Sequence, residues 1–369
     1  AQDREMRVEE DPFGNLVAWW GEGTDAVLTG SHLDSVPDAG AYDGALGVAS
    51  AFAAIDLIRA RGAVPRRRLG VVSFAEKEGS RFGQACLGSR LAVGAASWTQ
   101  ARELTDREGT RFGDLVPGPS QGARPTVVDG VKTFVELHVE HGRGLIEHDA
   151  AVGMGDAIWP HGRFRYDFTG STGHAGATAM ADRADPMLTY AMTVLAANKQ
   201  ARLSGQRASF GRVEVRPNAE ETIASQVSAW LDAHAGSQEA LTALVAAIGR
   251  QASDRADRDG TSLAVTTEAF RSEVVFDRDL GERLRRTLAH PPVLASPASH
   301  DAGVLQTAGI EAAMLWVRNS SGVAHAPAER VEMVDARAGV EALAAVLTEL
   351  SVPGSYRDGS GGCAAVPSG

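Results

Sequence analysis

Cysteine is almost missing from this chain: Cys86 and Cys363 are the two in 369 residues. They can form at most one bridge, and Cys363 lies in a Gly/Ser-rich tail. A disulfide framework is therefore excluded, and a reduced, cytoplasmic setting is expected. Lysine is also scarce, with Lys77, Lys132 and Lys199 set against many arginines. No basic block interrupts a net charge of −11, which argues against nucleic acid, because phosphate binding needs a basic face. No apolar run reaches membrane-spanning length and no charged-then-apolar segment opens the chain, so a membrane partner is not expected. There is no internal repeat. The first residue is not Met and a strand-like segment follows almost at once, so a preceding piece is expected to be missing.

What is present suits a two-domain globular protein, with 44% hydrophobic and 22% charged residues. Residues 14–20 and 26–31 read as strands, the second running into His32. Apolar residues at helical spacing (Val48, Ala51, Phe52, Ile55, Ile58) predict a helix from Gly44 to Arg61, stopped by Gly62. Residues 69–74 form a short apolar run suited to a buried strand, and 133–138 another, which ends on His138. Between them, 97–127 is polar and Pro/Gly-rich and reads as a surface excursion. Strand, helix and strand with polar residues at strand ends describe an α/β sheet, whose sites gather at the carboxyl ends of its strands.

Near residue 160 the pattern changes. Residues 163–168 alternate as a half-exposed antiparallel strand does. A helix at about 185–201, strands at 209–215 and 226–232, and a helix from Gln238 to about Arg255 follow. That β-α-β-β-α order predicts an inserted α+β domain. The first domain then resumes with a helix near 279–289, a loop at 299–302, a strand at 313–317 and a helix from Val334 to Leu350. The expected division is 1–158 and 271–351 for the catalytic domain, 159–270 for the insert, and 352–369 for a disordered tail.

Four residues, His32, Asp43, Glu78 and His138, fall at or just beyond predicted strand ends, and His325 falls in a loop after the last one. Singly, each reads as a solvated loop residue. His32 and Asp43 lie eleven residues apart, each close to a glycine, and together they read as metal ligands, since imidazole and carboxylate suit zinc and similar ions.

The segments Gly30–Pro37, Tyr42–Val48 and Glu78–Phe82 resemble the metal loops of the dinuclear amidohydrolases with a metallopeptidase fold. Glu136–Glu140, Gly173–Gly176, Pro217–Ala219, His300–Ala302 and Ala324–Pro327 resemble further motifs of the same family, in the same order. This hydantoinase/carbamoylase family includes allantoate amidohydrolase, N-carbamoyl-L-amino-acid hydrolase and β-ureidopropionase. The resemblance runs from about residue 14 to 350. It implies a zinc-exopeptidase-like mixed-sheet catalytic domain with an inserted dimerisation (lid) domain, and a helical segment before the first strand seen here.

The same resemblance implies His32, Glu78, His138 and His325 as terminal ligands of two divalent ions, zinc or else manganese, cobalt or nickel, with Asp43 as the bridge. Asp34 corresponds to an acid that orients the ligand histidine. His174 corresponds to a histidine that reaches the partner subunit's site and steadies the oxyanion, which implies a homodimer. Asn218 corresponds to a residue that binds the substrate carboxylate. Arg183 and Asp185 follow the histidine motif and read equally well as a helix-start charge and cap.

The departures concentrate where substrate would bind. The family's general base, a glutamate that takes a proton from the metal-held water, is replaced by Lys77. A glutamine is replaced by His141 and the following proline by Arg143. Ala177, Thr178 and Ala179 stand where Thr-Thr-Pro is usual. The arginine that grips a substrate carboxylate is replaced by His234, and a Pro-Ser pair by Arg318 and Asn319. His141, His234 and Arg318 are accordingly expected to contact substrate. Glu76 is expected to face away from the ions, because neighbours on an extended segment point to opposite sides.

A neutral Lys77 could act as a base, since two nearby ions disfavour its charged form. A charged Lys77 would instead hold a substrate carboxylate or an anionic intermediate, and loss of general-base help typically costs about 10²–10⁴ in rate. Because all five ligands are present while the changes fall elsewhere, altered chemistry is favoured over decay. The leading expectation is cleavage of a C–N bond in a small, carboxylate-bearing N-carbamoyl, ureido or N-acyl amino-acid-like substrate. The alternatives are a non-hydrolytic biosynthetic enzyme on the same scaffold and a metal-holding binding protein.

Overall fold

The structure, a computed structural model, describes residues 1–119 and 126–352. The expected tail, with Cys363, lies outside the described residues except for Val352, as does part of the excursion at 97–127. The chain divides into two units: Ala157–Val274, and the flanking segments Ala1–Asp156 and Val275 onward.

The first unit opens with strands β1 (Arg7–Glu10), β2 (Leu16–Trp20) and β3 (Ala26–His32), then helix α1 (Ala45–Ala60) and β4 (Arg68–Phe74). Short helices α2 (Leu87–Ala92) and α3 (Trp98–Ala101) precede β5 (Val131–Val139), α4 (Gly144–Glu147) and β6 (Val152–Gly155). The second unit begins with β7 (Ala157–Ile158), β8 (His161–Thr169), β9 (Gly173–His174) and α5 (Pro186–Ser204). It continues through β10 (Arg207–Arg216), β11 (Thr222–Ile223), β12 (Gln226–His234), α6 (Gln238–Asp259) and β13 (Ser262–Arg271). The chain returns through β14 (Val274–Val275) to α7 (Arg278–Thr287), α8 (Asp301–Thr307), β15 (Glu311–Val317) and α9 (Met333–Ser351).

Seven strands of the first unit form one mixed sheet in the order β1-β2-β4-β3-β5-β15-β6. The central strands β4, β3, β5 and β15 are parallel, and the outer pairings are antiparallel. Every residue of β3 is buried, as the near-continuous apolar run of a parallel strand covered on both faces requires. One face packs on α1, α7 and α9 through residues such as Ile55, Ile58, Leu137, Leu284, Leu343 and Leu347. Burial of each such side chain contributes on the order of 1.5–3 kcal/mol.

Parallel strands bring their carboxyl ends to one edge of the sheet, and that edge carries the predicted loops. His32 ends β3 opposite Phe74 at the end of β4, and His138 near the end of β5 is level with Trp316 in β15. The turn into α1 depends on Gly44, whose φ is 67° and where a Cβ would lie 2.5 Å from the His32 ring. Only glycine accepts both conditions, which explains why Asp43 is followed by glycine.

Residues 97–119 are not the plain surface excursion expected. Ala101 and Phe112 are buried with Phe13, Phe82, Leu87 and Leu91, and Trp98 packs against them, in a small separate cluster. The apolar residues there are too widely spaced to form a periodic signal.

In the second unit β10-β12-β8-β13 make an antiparallel sheet. Phe164, Tyr166, Phe168 and Leu231 point to one face and pack with Leu241 and Ile248 of α6. The Asp185 carboxylate caps α5 by accepting from Met187 N–H at 2.9 Å, and Gly205 ends the helix in the left-handed conformation. Strand β13 was not anticipated: it is an edge strand with one partner and almost uniform exposure, so it lacks the alternation that marks β8 and β12. Among the described residues no helix is long and apolar enough to cross a membrane.

Candidate metal centre

The carboxyl ends of β3 and β5 and the loops after β3, β4 and β15 bring together all five predicted ligands. His32, Asp43 and His138 are buried, and the Glu78 side chain is 6% exposed. Asp43 Oδ1 lies 3.4 Å from His138 Nε2 and 3.9 Å from His32 Nε2, and Asp43 Oδ2 lies 3.6 Å from His325 Nε2. Glu78 Oε1 is 3.9 Å from His32 Nε2, and its Oε2 is 3.3 Å from His325 Nε2.

The tautomers of two imidazoles follow from their outer bonds. His32 Nδ1 donates to the Asp34 carbonyl at 2.7 Å, and His138 Nδ1 donates to the Val139 carbonyl at 2.9 Å. Both Nε2 lone pairs therefore face inward, 3.3 Å apart, with no proton to share. Asp43 Oδ1 beside them is buried with no hydrogen-bond partner. Two lone pairs and an anionic oxygen converging in this way form a place for a cation. The donor chemistry fits a divalent ion.

Asp34 acts differently from the expectation. Its main-chain carbonyl orients His32, while its carboxylate Oδ1 lies 3.7 Å from His32 Nδ1. The carboxylate instead accepts from the backbone N–H groups of Lys77 at 3.1 Å and Glu78 at 2.9 Å. It fixes the second loop relative to the first.

Lys77 is 3% exposed, and its Nζ lies 2.5 Å from Glu78 Oε1. Burial, the largest effect, favours the neutral amine, but the charges of Glu78 and Asp43 outweigh it and raise the pKa above that of an ordinary lysine. A divalent ion at Asp43 would act in the opposite direction. The same contacts hold Glu78 at about 2: burial pushes it up, and His325 and Lys77 pull it down further. Glu76 is not on an extended segment at all. Its φ is 52°, past the end of β4, and its carboxyl is pushed up to about 7, mainly by burial and then by Asp34.

His141 lies deeper than expected for a substrate contact. Its side chain is 6% exposed, and its Nε2 lies 3.4 Å from Asp43 Oδ1 with no hydrogen-bond partner. Among the described residues, three sets of potential ligand atoms lie within 4.8 Å of one another: His32–Asp43–His138, Asp43–His141–His325 and Glu136–His138–His300. The third is structural. Glu136 Oε1 accepts from Ser31 Oγ at 2.9 Å and Oε2 from Ala302 N–H at 2.8 Å, so both oxygens are in use.

Arg318 is not free for a substrate. Its Nε and Nη2 each lie 2.9 Å from the Asp335 carboxylate, and Nη1 lies 3.2 Å from Asp149. The bidentate fork that would grip a substrate carboxylate is therefore already taken by Asp335. Its neighbour Asn319, not assigned a role by the sequence reading, is buried. Its Nδ2 donates to the Glu140 and Val323 carbonyls and its Oδ1 accepts from Ser321 and Gly322, shaping the loop that carries His325. Glu329 Oε2 accepts from Asp43 N–H at 3.0 Å.

The remaining predicted residues lie in the second unit. His174 is exposed, and its Nδ1 accepts from Gly176 N–H at 3.0 Å, which puts the ring proton on Nε2. Arg183 holds that loop through the Ala175 and Thr178 carbonyls. Asn218 is exposed. His234 stacks on His161 with ring centroids 5.0 Å apart, and its Nε2 lies 3.2 Å from Asp232.

Residues 28–349 match the sequence model of peptidase family M20/M25/M40. An N-carbamoyl-L-amino acid amidohydrolase from Geobacillus stearothermophilus is 33% identical over 357 residues, covering 91% of this chain and 85% of that protein. The allantoate amidohydrolase of Escherichia coli (strain K12) is 29% identical over 361 residues, covering 94% and 87%. A solved hydantoinase/carbamoylase family amidase from Burkholderia ambifaria has a TM-score of 0.79 and 27% identity, covering 96% of this chain and 88% of that one.

Proposed function

Because this chain belongs to peptidase family M20/M25/M40, we propose that it is a metal-dependent amidohydrolase. Its substrate would be a small N-carbamoyl, ureido or N-acyl amino-acid-like molecule bearing a carboxylate, cleaved at a C–N bond. The observation that carries the reading is the pair of inward lone pairs on His32 and His138 against the unpartnered Asp43 Oδ1. The donors around Asp43 suit two divalent ions sharing that carboxylate, zinc first, because imidazole and carboxylate are its ordinary ligands. When bound, such ions polarise the scissile carbonyl and lower the pKa of a water molecule.

The chain's own groups hold and orient. Asp34 ties the loop of Lys77 and Glu78 to the loop of His32. Lys77 Nζ lies against Glu78, and held charged there its ammonium would suit an anionic oxygen better than proton abstraction. The His174 Nε2–H is a donor on an exposed loop, which supports the role of steadying an oxyanion across a homodimer. Exposed apolar side chains on α5 also support self-association: Met187, Leu188, Leu195 and Leu203 are 40–73% exposed.

The relatives named above are hydrolases, and this favours hydrolysis over the biosynthetic and binding-only alternatives. The test is turnover of a panel of N-carbamoyl, ureido and N-acyl amino acids by zinc-, manganese- and cobalt-loaded protein. Release of amine or ammonia is expected from at least one class. No turnover on the whole panel would sink the proposal.

A further inference from the structure

Two departures from the family pattern, Lys77 and His141, meet at the same carboxylate pair. Lys77 Nζ contacts Glu78 Oε1 at 2.5 Å. With Lys77 Nζ seated so close against it, that oxygen has little room left to ligate an ion. His141 stands in the opposite condition. It is nearly buried, its Nε2 has no hydrogen-bond partner, and it lies 3.4 Å from an Asp43 oxygen that also has none. His141, Asp43 and His325 present ligand atoms all within 4.8 Å of one another, and among the described residues Glu78 belongs to no such group. Glu78 Oε2 lies 3.3 Å from His325 Nε2, while the oxygen that Lys77 contacts lies 3.9 Å from His32 Nε2.

Resting on the reading of this centre as a divalent-metal site, we infer that Asp43, His141 and His325 hold the second ion, with His141 as a metal ligand and Glu78 retained by Lys77. The two replacements are then one exchange. A lysine withdraws a carboxylate ligand, and three residues beyond His138 an imidazole supplies a new donor. Each ion would have two histidines and a share of Asp43: His32 and His138 on one side, His141 and His325 on the other. Such a nitrogen-rich, less anionic set favours zinc, cobalt or nickel over manganese or magnesium.

The test reads metal content, so it does not depend on finding the substrate. Wild-type protein, His141→Gln and Glu78→Gln are loaded with zinc, dialysed, and assayed for metal per chain by plasma mass spectrometry; cobalt titrations followed by visible absorption give the affinities. Wild type and Glu78→Gln are expected to keep about two equivalents. His141→Gln is expected to keep about one, with the second cobalt bound at least about tenfold more weakly. Two equivalents retained by His141→Gln with one lost from Glu78→Gln would overturn the inference, as would a single equivalent in wild type. Should either variant fail to fold, anomalous difference maps of zinc-loaded wild-type crystals decide. A second peak bonded to His141 Nε2 supports the inference, and a second peak bonded to Glu78 without His141 contradicts it. Two ions bound through His141 in a protein inert to every substrate would leave the inference standing and remove the proposed function alone.

Discussion

The Nε2 atoms of His32 and His138 face each other at 3.3 Å, each ring proton being fixed on the far nitrogen by a main-chain carbonyl. Two lone pairs so placed repel unless a cation lies between them. His138→Ala is therefore expected to reduce zinc retention after dialysis and to lower kcat/KM by at least about 10². Metal content measured beside turnover checks this, since a loss of activity with full metal content would contradict the assignment.

The Asp34 carboxylate accepts two backbone N–H groups from the loop carrying Lys77 and Glu78. Asp34→Ala leaves both donors unpaired. The expected destabilisation is about 1.5–3 kcal/mol, read from chemical denaturation, with Asp34→Asn intermediate because its amide oxygen still accepts. An acid that merely tuned the histidine would alter activity and leave stability unchanged.

Arg318 stabilises the fold through Asp335, whose side chain is 1% exposed against 25% for the arginine. Arg318→Ala strands that carboxylate, at a cost of about 2 kcal/mol or more once the exposed side is discounted for screening. The melting midpoint should fall while KM for a carboxylate substrate stays the same. A large rise in KM in a protein of unchanged stability would return Arg318 to the substrate.

The second unit carries a pH signature of its own. His161 is pushed down to about 4 by burial and then by the adjacent His234. A histidine whose folded pKa lies below its unfolded value of about 6.5 binds protons in the unfolded chain first. Stability is then full above about pH 6.5 and declines as the pH falls toward 4. His161→Phe, which keeps the stacked ring, should flatten this decline by roughly 1–3 °C in melting midpoint between neutral and acid pH. An equally steep decline in the variant would show that the stacked pair is not its origin.

The parts of the site legible in the sequence were those written locally. His32 ends β3 and Asp43 and Gly44 close the loop that follows it, and the requirement for glycine at residue 44 leaves a visible mark. His138 ends a recognisable apolar run. The parts that were not legible depend on partners far along the chain. Nothing near Arg318 in sequence reveals Asp335, and the closeness of His141 to Asp43 exists only after folding. An extended backbone at Glu76 is what the sequence suggests, but the chain leaves β4 at Phe74 and turns through a left-handed residue. Strand β13 is exposed along almost its whole length, so its sequence carries no alternation that would mark it as a strand.

The central claim is that the Asp43-centred cluster is a hydrolytic metal site, and returning metal to chelator-stripped protein tests it most directly. Turnover of an N-carbamoyl or N-acyl amino acid should be absent in the stripped protein and return as zinc is added, saturating as the site fills. Stripped protein as active as loaded protein, or loaded protein that turns over none of these substrates, would contradict the account.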